Sequence, residues 1–195
     1  MSDNHTPEQR HRNMAAVHST STEPELNLRR TLWRQGFRYR VNDKRLPGKP
    51  DIVLPKYRTV VFVHGCFWHG HKECKYYTVP ETNKEFWVAK VQRNQERDQE
   101  VWRKLEAKGW CVIIVWECQL KKANLEETID RVAEEIVRNG EVYRATQEER
   151  KTAREGYRKA RRERKERERA LLEEMSAISL KSPKTPITRK KVGKN

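Results

Sequence analysis

Cys66, His71 and Cys74 are spaced as Cys-x4-His-x2-Cys, and Cys118 follows an apolar run later in the chain, so three thiols and an imidazole are on offer to one ion. Zn2+ prefers such soft donors in a tetrahedron, and four protein ligands with no open position make a structural site rather than a catalytic one. His69 fits the loop spacing as well as His71 does. Cys111 competes with Cys118, although it alternates within the apolar residues 110–116 in the manner of a buried core thiol. A second chemistry is offered by Asp51, directly after Pro50, and by His64 and His69, which flank Cys66. A carboxylate can hold a hard divalent ion at a sheet edge, and an imidazole can accept or donate a proton near neutrality. Taken alone, an Asp after Pro is more often a turn or strand-cap residue, and Glu25 reads first as the capping-box partner of Thr22 rather than as an acid at a site.

Large aromatics sit beside these groups: Phe67 and Trp68 in the Cys/His loop, Phe86 and Trp87 beyond it. Core packing is the ordinary use of such rings. Two adjacent rings in a polar loop cannot easily both point inward, however, and an exposed wedge that unstacks a base step is the other use.

These residues need elements to position them. Thr22-Glu23-Pro24-Glu25 opens a helix that ends at Gly36, with Leu28 and Leu32 on one face. Residues 37–41 alternate like a strand, residues 46–50 form a rigid Pro/Gly turn, and residues 51–54 and 59–64 read as further strands. The run Val60-Val61-Phe62-Val63 suits a strand covered on both faces, with Asp51 and His64 at strand ends. Thr82-x-x-Glu85 caps a long helix that stops at Gly109, residues 110–116 form a strand, and residues 124–139, closed by Gly140, form the last core helix. The order implies an α/β fold, a mixed central sheet flanked by helices.

Composition sets the partner. The chain has 195 residues and a net charge of +15, with 26 Lys and Arg against 20 Asp and Glu over residues 1–144 and 17 against 8 over residues 145–195. Such an excess favours a polyanion, first nucleic acid. No apolar run approaches a membrane span and no h-region opens the chain, so the expected setting is a reducing cytoplasm in which thiols persist and ligate metal. The expected organisation is an N-terminal arm over residues 1–21, one catalytic domain over 22–143, and a charged helical and disordered extension over 144–195.

From Asn13-Met14 through LPGKPDIV, VVFVHGCFWHGH, EFWVAKVQRNQERD and GWCVIIVWEC to Cys118-Gln119-Leu120, the chain resembles the very short patch repair endonucleases, which cut beside T:G mismatches. The resemblance implies a restriction-endonuclease-like fold, a structural zinc and a Mg2+-dependent nick in double-stranded DNA 5′ to the mismatched thymine. By the same resemblance Asp51 and the Val63 carbonyl would hold Mg2+, His64 and His69 would activate water and assist the leaving group, and Glu25 would support them. Zinc would fall to Cys66, His71, Cys74 and Cys118. Phe67, Trp68 and Trp87 would form a wedge, Met14 would press from the other groove, and Lys90 and Asn94 would lie near the mismatched bases. The implied enzyme is a bacterial monomer, nucleoid-associated when bound, with mismatch-repair proteins as further partners. The segment Gly70-His71-Lys72-Glu73-Cys74 is poorer in His and one residue longer than is usual in that family, and nothing in the family pattern corresponds to the extension after Ala145. A restriction-type endonuclease and a non-enzymatic zinc module for distorted DNA are the competing readings.

Overall fold

The computed structural model describes residues 21–181 together with Thr6, Glu8, Gln9 and Arg12. The chain divides into two units, Met1–Ala145 and Thr146–Asn195. The elements are α1 (Glu23–Arg34), β1 (Ile52–Leu54), β2 (Thr59–His64), α2 (Lys84–Ala107), β3 (Cys111–Trp116) and α3 (Leu125–Lys181).

β1 pairs antiparallel with β2, setting Val53 opposite Val60, and β2 pairs parallel with β3, setting Val60 beside Val112 and His64 beside Trp116. A parallel pair needs a crossover connection, and α2 supplies it. Successive strand residues point to opposite faces. Ile52, Leu54, Val61, Ile113 and Val115 therefore share one face, packed with Leu28 and Leu32 of α1 and Ile129, Val132 and Ile136 of α3. Val53, Val60 and Phe62 share the other face with Leu105 of α2 and Trp110. Cover on both faces is why residues 60–63 of β2 are apolar without alternation. The result is a mixed α/β architecture on a three-stranded sheet.

Three local expectations are corrected. Residues 37–41 form no strand; they contribute one bridge, Arg40 to Val53. Phe37 turns into the core, the Tyr39 hydroxyl donates to the Arg29 carbonyl at 2.7 Å, and Asn42 at φ 48° ends the extended stretch. α2 opens later than the Thr82-x-x-Glu85 cap predicted, at Lys84, with Asn83 at φ 57° as its N-cap and no side-chain cap bond. Asn adopts that left-handed conformation at little cost. Gly140 does not stop α3, which runs on to Lys181. A Cβ on Gly140 would stand 2.6 Å from Cδ1 of Tyr57, so the glycine permits close packing on that ring rather than ending the helix.

In the second unit α3 continues with its side chains exposed over residues 147–175. Among the described residues, no helix is long and apolar enough to cross a membrane.

Candidate active site and metal centre

Asp51 immediately precedes β1, and the antiparallel register brings it against the end of β2, where its Oδ2 accepts the Val63 N–H at 2.8 Å. Burial pushes the Asp51 carboxyl up to about 6, with the Glu25 carboxylate adding to the rise; the Val63 bond, Arg29 and His69 oppose it. Glu25 is itself buried on α1. It does not cap the helix in the expected way: its carboxylate accepts the Thr22 hydroxyl at 2.9 Å, the Ser21 N–H at 2.8 Å and Arg29 Nη2 at 3.0 Å. The same Nη2 donates to the Asp51 carbonyl at 3.1 Å, so one buried guanidinium joins Glu25 to the backbone of Asp51.

His64 closes β2. The residue is 4% exposed, and its ring stacks on His69 at 3.7 Å between centroids, with Trp102 and Trp116 on other sides. Burial and then the neighbouring His69 depress its pKa to about 3, which keeps the ring neutral. Its Nδ1 has no hydrogen-bond partner among the described residues. His69 Nδ1 lies 2.5 Å from Oδ2 of Asp98 on α2. Burial pushes the Asp98 carboxyl up, but the bond to His69, the charge of that ring, and Arg97 outweigh this and hold it below its usual value. A cavity of about 370 Å³ opens beside these groups, lined by His64, His69, Asp98, Trp102 and Trp116 among others. His64, His69 and Asp98 lie close enough to share an ion. The two imidazoles are within 17° of parallel, however, and lone pairs lying in the planes of stacked rings do not converge on one point. Asp98 is better understood as the group that fixes the tautomer and tilt of His69.

The ligand atoms of Cys66, His71, Cys74 and Cys118 lie within 4.8 Å of one another. A tetrahedron with Zn–S bonds of about 2.3 Å has edges of roughly 3.8 Å, so this cluster is close to the size the ion needs. Its soft donors fit zinc. Without an ion, burial drives the Cys66 thiol up to about 12, whereas the Tyr76 N–H leads the lowering of Cys74. Cys118 sits in the short turn Glu117–Leu120 after β3, 3.4 Å from His71 Nδ1, and His71 stacks on Trp116 at 4.1 Å. His69 is turned to Asp98, and Cys111 is not among the four clustered ligands.

Phe67, Trp68 and Trp87 form an aromatic group with centroids 5.2–6.0 Å apart, and the exposed Phe86 adjoins Trp87. Asn94 Nδ2 donates to the Trp68 carbonyl at 2.8 Å, and Gln95 Nε2 donates to the carbonyls of His69 and Gly70. A Cβ on Gly70, at φ +64°, would stand 2.5 Å from that Gln95 nitrogen, so the loop is drawn tightly onto α2. Lys90 is exposed on α2. Met14 lies outside the described residues.

Sequence reasoning missed Arg29, Asp98 and Gln95. The signal was present: Arg29 follows Glu25 by four residues beside the buried Leu28 and Leu32. Likewise Gln95 and Asp98 interrupt the inward row of Val91, Trp102 and Leu105 on α2. A polar or charged residue on the buried stripe of a helix must have a partner.

The family described as "DNA mismatch endonuclease Vsr" matches residues 2–76. The chain is 50% identical over 137 residues to the Type II nicking enzyme V.NmeAIP of Neisseria meningitidis, covering 70% of this chain and 97% of the relative. It is 43% identical over 143 residues to the DNA mismatch endonuclease Vsr of Escherichia coli, covering 72% and 91%. At that identity and coverage the chain belongs to the Vsr family of very short patch repair endonucleases, and it is a DNA mismatch endonuclease.

Proposed function

We propose that this endonuclease nicks one strand of duplex DNA 5′ to the thymine of a T:G mismatch, the lesion left when 5-methylcytosine deaminates. The observation that supports the reading most directly is the meeting of Asp51, His64 and the His69–Asp98 pair at the end of the central strand β2.

Asp51 and the Val63 carbonyl are a hard-oxygen pair suited to Mg2+, which when bound neutralises phosphate charge and lowers the pKa of an attacking water. His69, with Nδ1 engaged by Asp98, has Nε2 left for moving a proton to or from the reacting oxygens. His64, enclosed by His69, Trp102 and Trp116, orients groups as a neutral ring. Glu25 and Arg29 fix the Asp51 backbone from α1. Cys66, His71, Cys74 and Cys118 would hold Zn2+ as a brace between the loop that carries His69 and the end of β3.

Specificity is assigned to the Phe67, Trp68 and Trp87 group acting as a wedge, with Lys90 and Asn94 of α2 given roles near the mismatched bases and Met14 a role in the opposite groove. A T:G step costs less to unstack than a fully paired step, so wedge insertion penalises paired DNA more. A single-strand nick needs only one site, so a monomer suffices.

The test is Mg2+-dependent cleavage of a labelled duplex carrying T:G in a methylation context, beside T:A and C:G controls. Nicking confined to the thymine strand of the mismatch is expected. Equal cutting of all three duplexes would overturn the mismatch assignment, and binding without cutting would overturn the catalytic one.

A further inference from the structure

We propose that the exposed helix of the second unit carries a separate contact surface for the phosphate backbone of duplex DNA along one of its long faces. The proposal rests on DNA being the substrate and not on the nicking chemistry.

Over residues 150–169 there are 11 Lys and Arg against 4 Glu, a net +7, and every one of these side chains is exposed. At 3.6 residues per turn, Lys151, Arg154, Arg158, Arg161, Arg162 and Lys165 fall within a sector roughly 100° wide. Glu155, Glu163 and Glu166 fall together outside it. The fourth acid, Glu168, is engaged by Arg164 from beyond the sector at 3.0 Å.

A charged helix that serves only as a solvated spacer joins its acids and bases within each turn. That pattern holds here at three places in this stretch, Lys151–Glu148, Arg164–Glu168 and Arg169–Glu173. Among the described residues no ion pair engages Arg154, Arg158, Arg161, Arg162 or Lys165, so the face keeps its positive charge. From Lys151 to Lys165 it runs about 21 Å at 1.5 Å per residue, the rise of roughly six phosphates along one strand. A row of guanidinium and ammonium groups with no apolar residue among them fits a line of phosphates and carries no means of reading base edges. The surface would raise affinity without altering sequence preference.

The test uses the full-length chain in two forms: Arg158→Gln with Arg161→Gln on the face, and Lys159→Gln with Arg167→Gln off it. Both remove two positive charges and keep a helix-favouring residue; circular dichroism at 222 nm checks that the helix persists. Binding to a labelled, fully paired duplex is followed by anisotropy across salt concentrations without added Mg2+, so no cutting is needed. For the on-face pair the slope of log K against log salt falls by about 1.8 and Kd rises roughly tenfold or more near 0.1 M salt, while the off-face pair stays close to the parent. Equal effects from both pairs would reduce the result to net charge and overturn the proposal. No effect from either pair would overturn it as well, leaving the face to some partner other than duplex DNA.

Discussion

The Asp51 carboxylate and the Val63 N–H, twelve residues apart, meet at 2.8 Å because β1 and β2 pair antiparallel through Ile52 and Val61. The bond fixes the carboxylate at the point where the chain leaves β2 for the Cys/His loop. Asp51→Asn keeps size and position but loses the charge, so nicking falls by about three orders of magnitude or more while affinity for mismatched duplex changes little. Single-turnover cleavage and anisotropy on one preparation check this; an Asn variant that cuts at the parent rate would remove Asp51 from the reaction.

The same carboxylate makes the protein less stable at neutral pH when no metal is bound. Its folded pKa, about 6, lies above the ordinary aspartate value of 3.8, so the folded state binds the proton more tightly. That contribution is complete below about pH 4 and is lost as pH rises through 6. In metal-free protein Asp51→Asn should therefore be more stable than the parent at pH 7, by about 1–3 kcal/mol, and equal to it near pH 4. His64 contributes the opposite trend, losing stability as pH falls below 6.5 toward its folded value of about 3, but it is common to both proteins and cancels in the difference. Urea melts at the two pH values measure it; an equal gap at both would reject the link to titration.

Arg29 is expected to act through Asp51 and not on DNA. Without its guanidinium the buried Glu25 carboxylate loses its cation and Asp51 loses the bond to its carbonyl. Arg29→Ala should raise the Mg2+ concentration for half-maximal rate by roughly tenfold, consistent with the effect of losing a group that orients a metal ligand. Arg29→Lys should recover part of the loss. A Mg2+ titration of cleavage that leaves the midpoint unmoved in both variants would make Arg29 merely structural.

For the His69–Asp98 pair the expected effect is on turnover. Asp98→Asn leaves the shape but offers His69 an ambiguous partner, so kcat should fall by about 10²–10⁴ with KM for DNA nearly constant. A change confined to KM would place Asp98 in binding instead.

The four-ligand cluster predicts one zinc per chain. Cys118→Ser should lose the metal and much of the thermal stability, because the turn after β3 and the Cys/His loop are then no longer tied, while Cys111→Ser should keep the metal. Elemental analysis with thermal melts decides it; full zinc content in Cys118→Ser would remove that residue from the set.

By itself the sequence determined the local facts. The apolar run of residues 60–63 suited a strand covered on both sides, Cys66, His71 and Cys74 had ligand spacing, and the motifs around them marked the family. These were legible because periodicity and spacing act over a few residues. The tertiary structure decided which of two histidines turns to the thiols, since His69 is captured by Asp98, twenty-nine residues away. It decided that Gly140 packs on Tyr57 in mid-helix instead of ending the helix. It also gave Glu25 a buried cation and set Cys118 apart from Cys111. Each of these depends on which elements lie side by side, and that is set by the burial of both faces of a three-stranded sheet, an energy summed over distant residues that no local pattern contains.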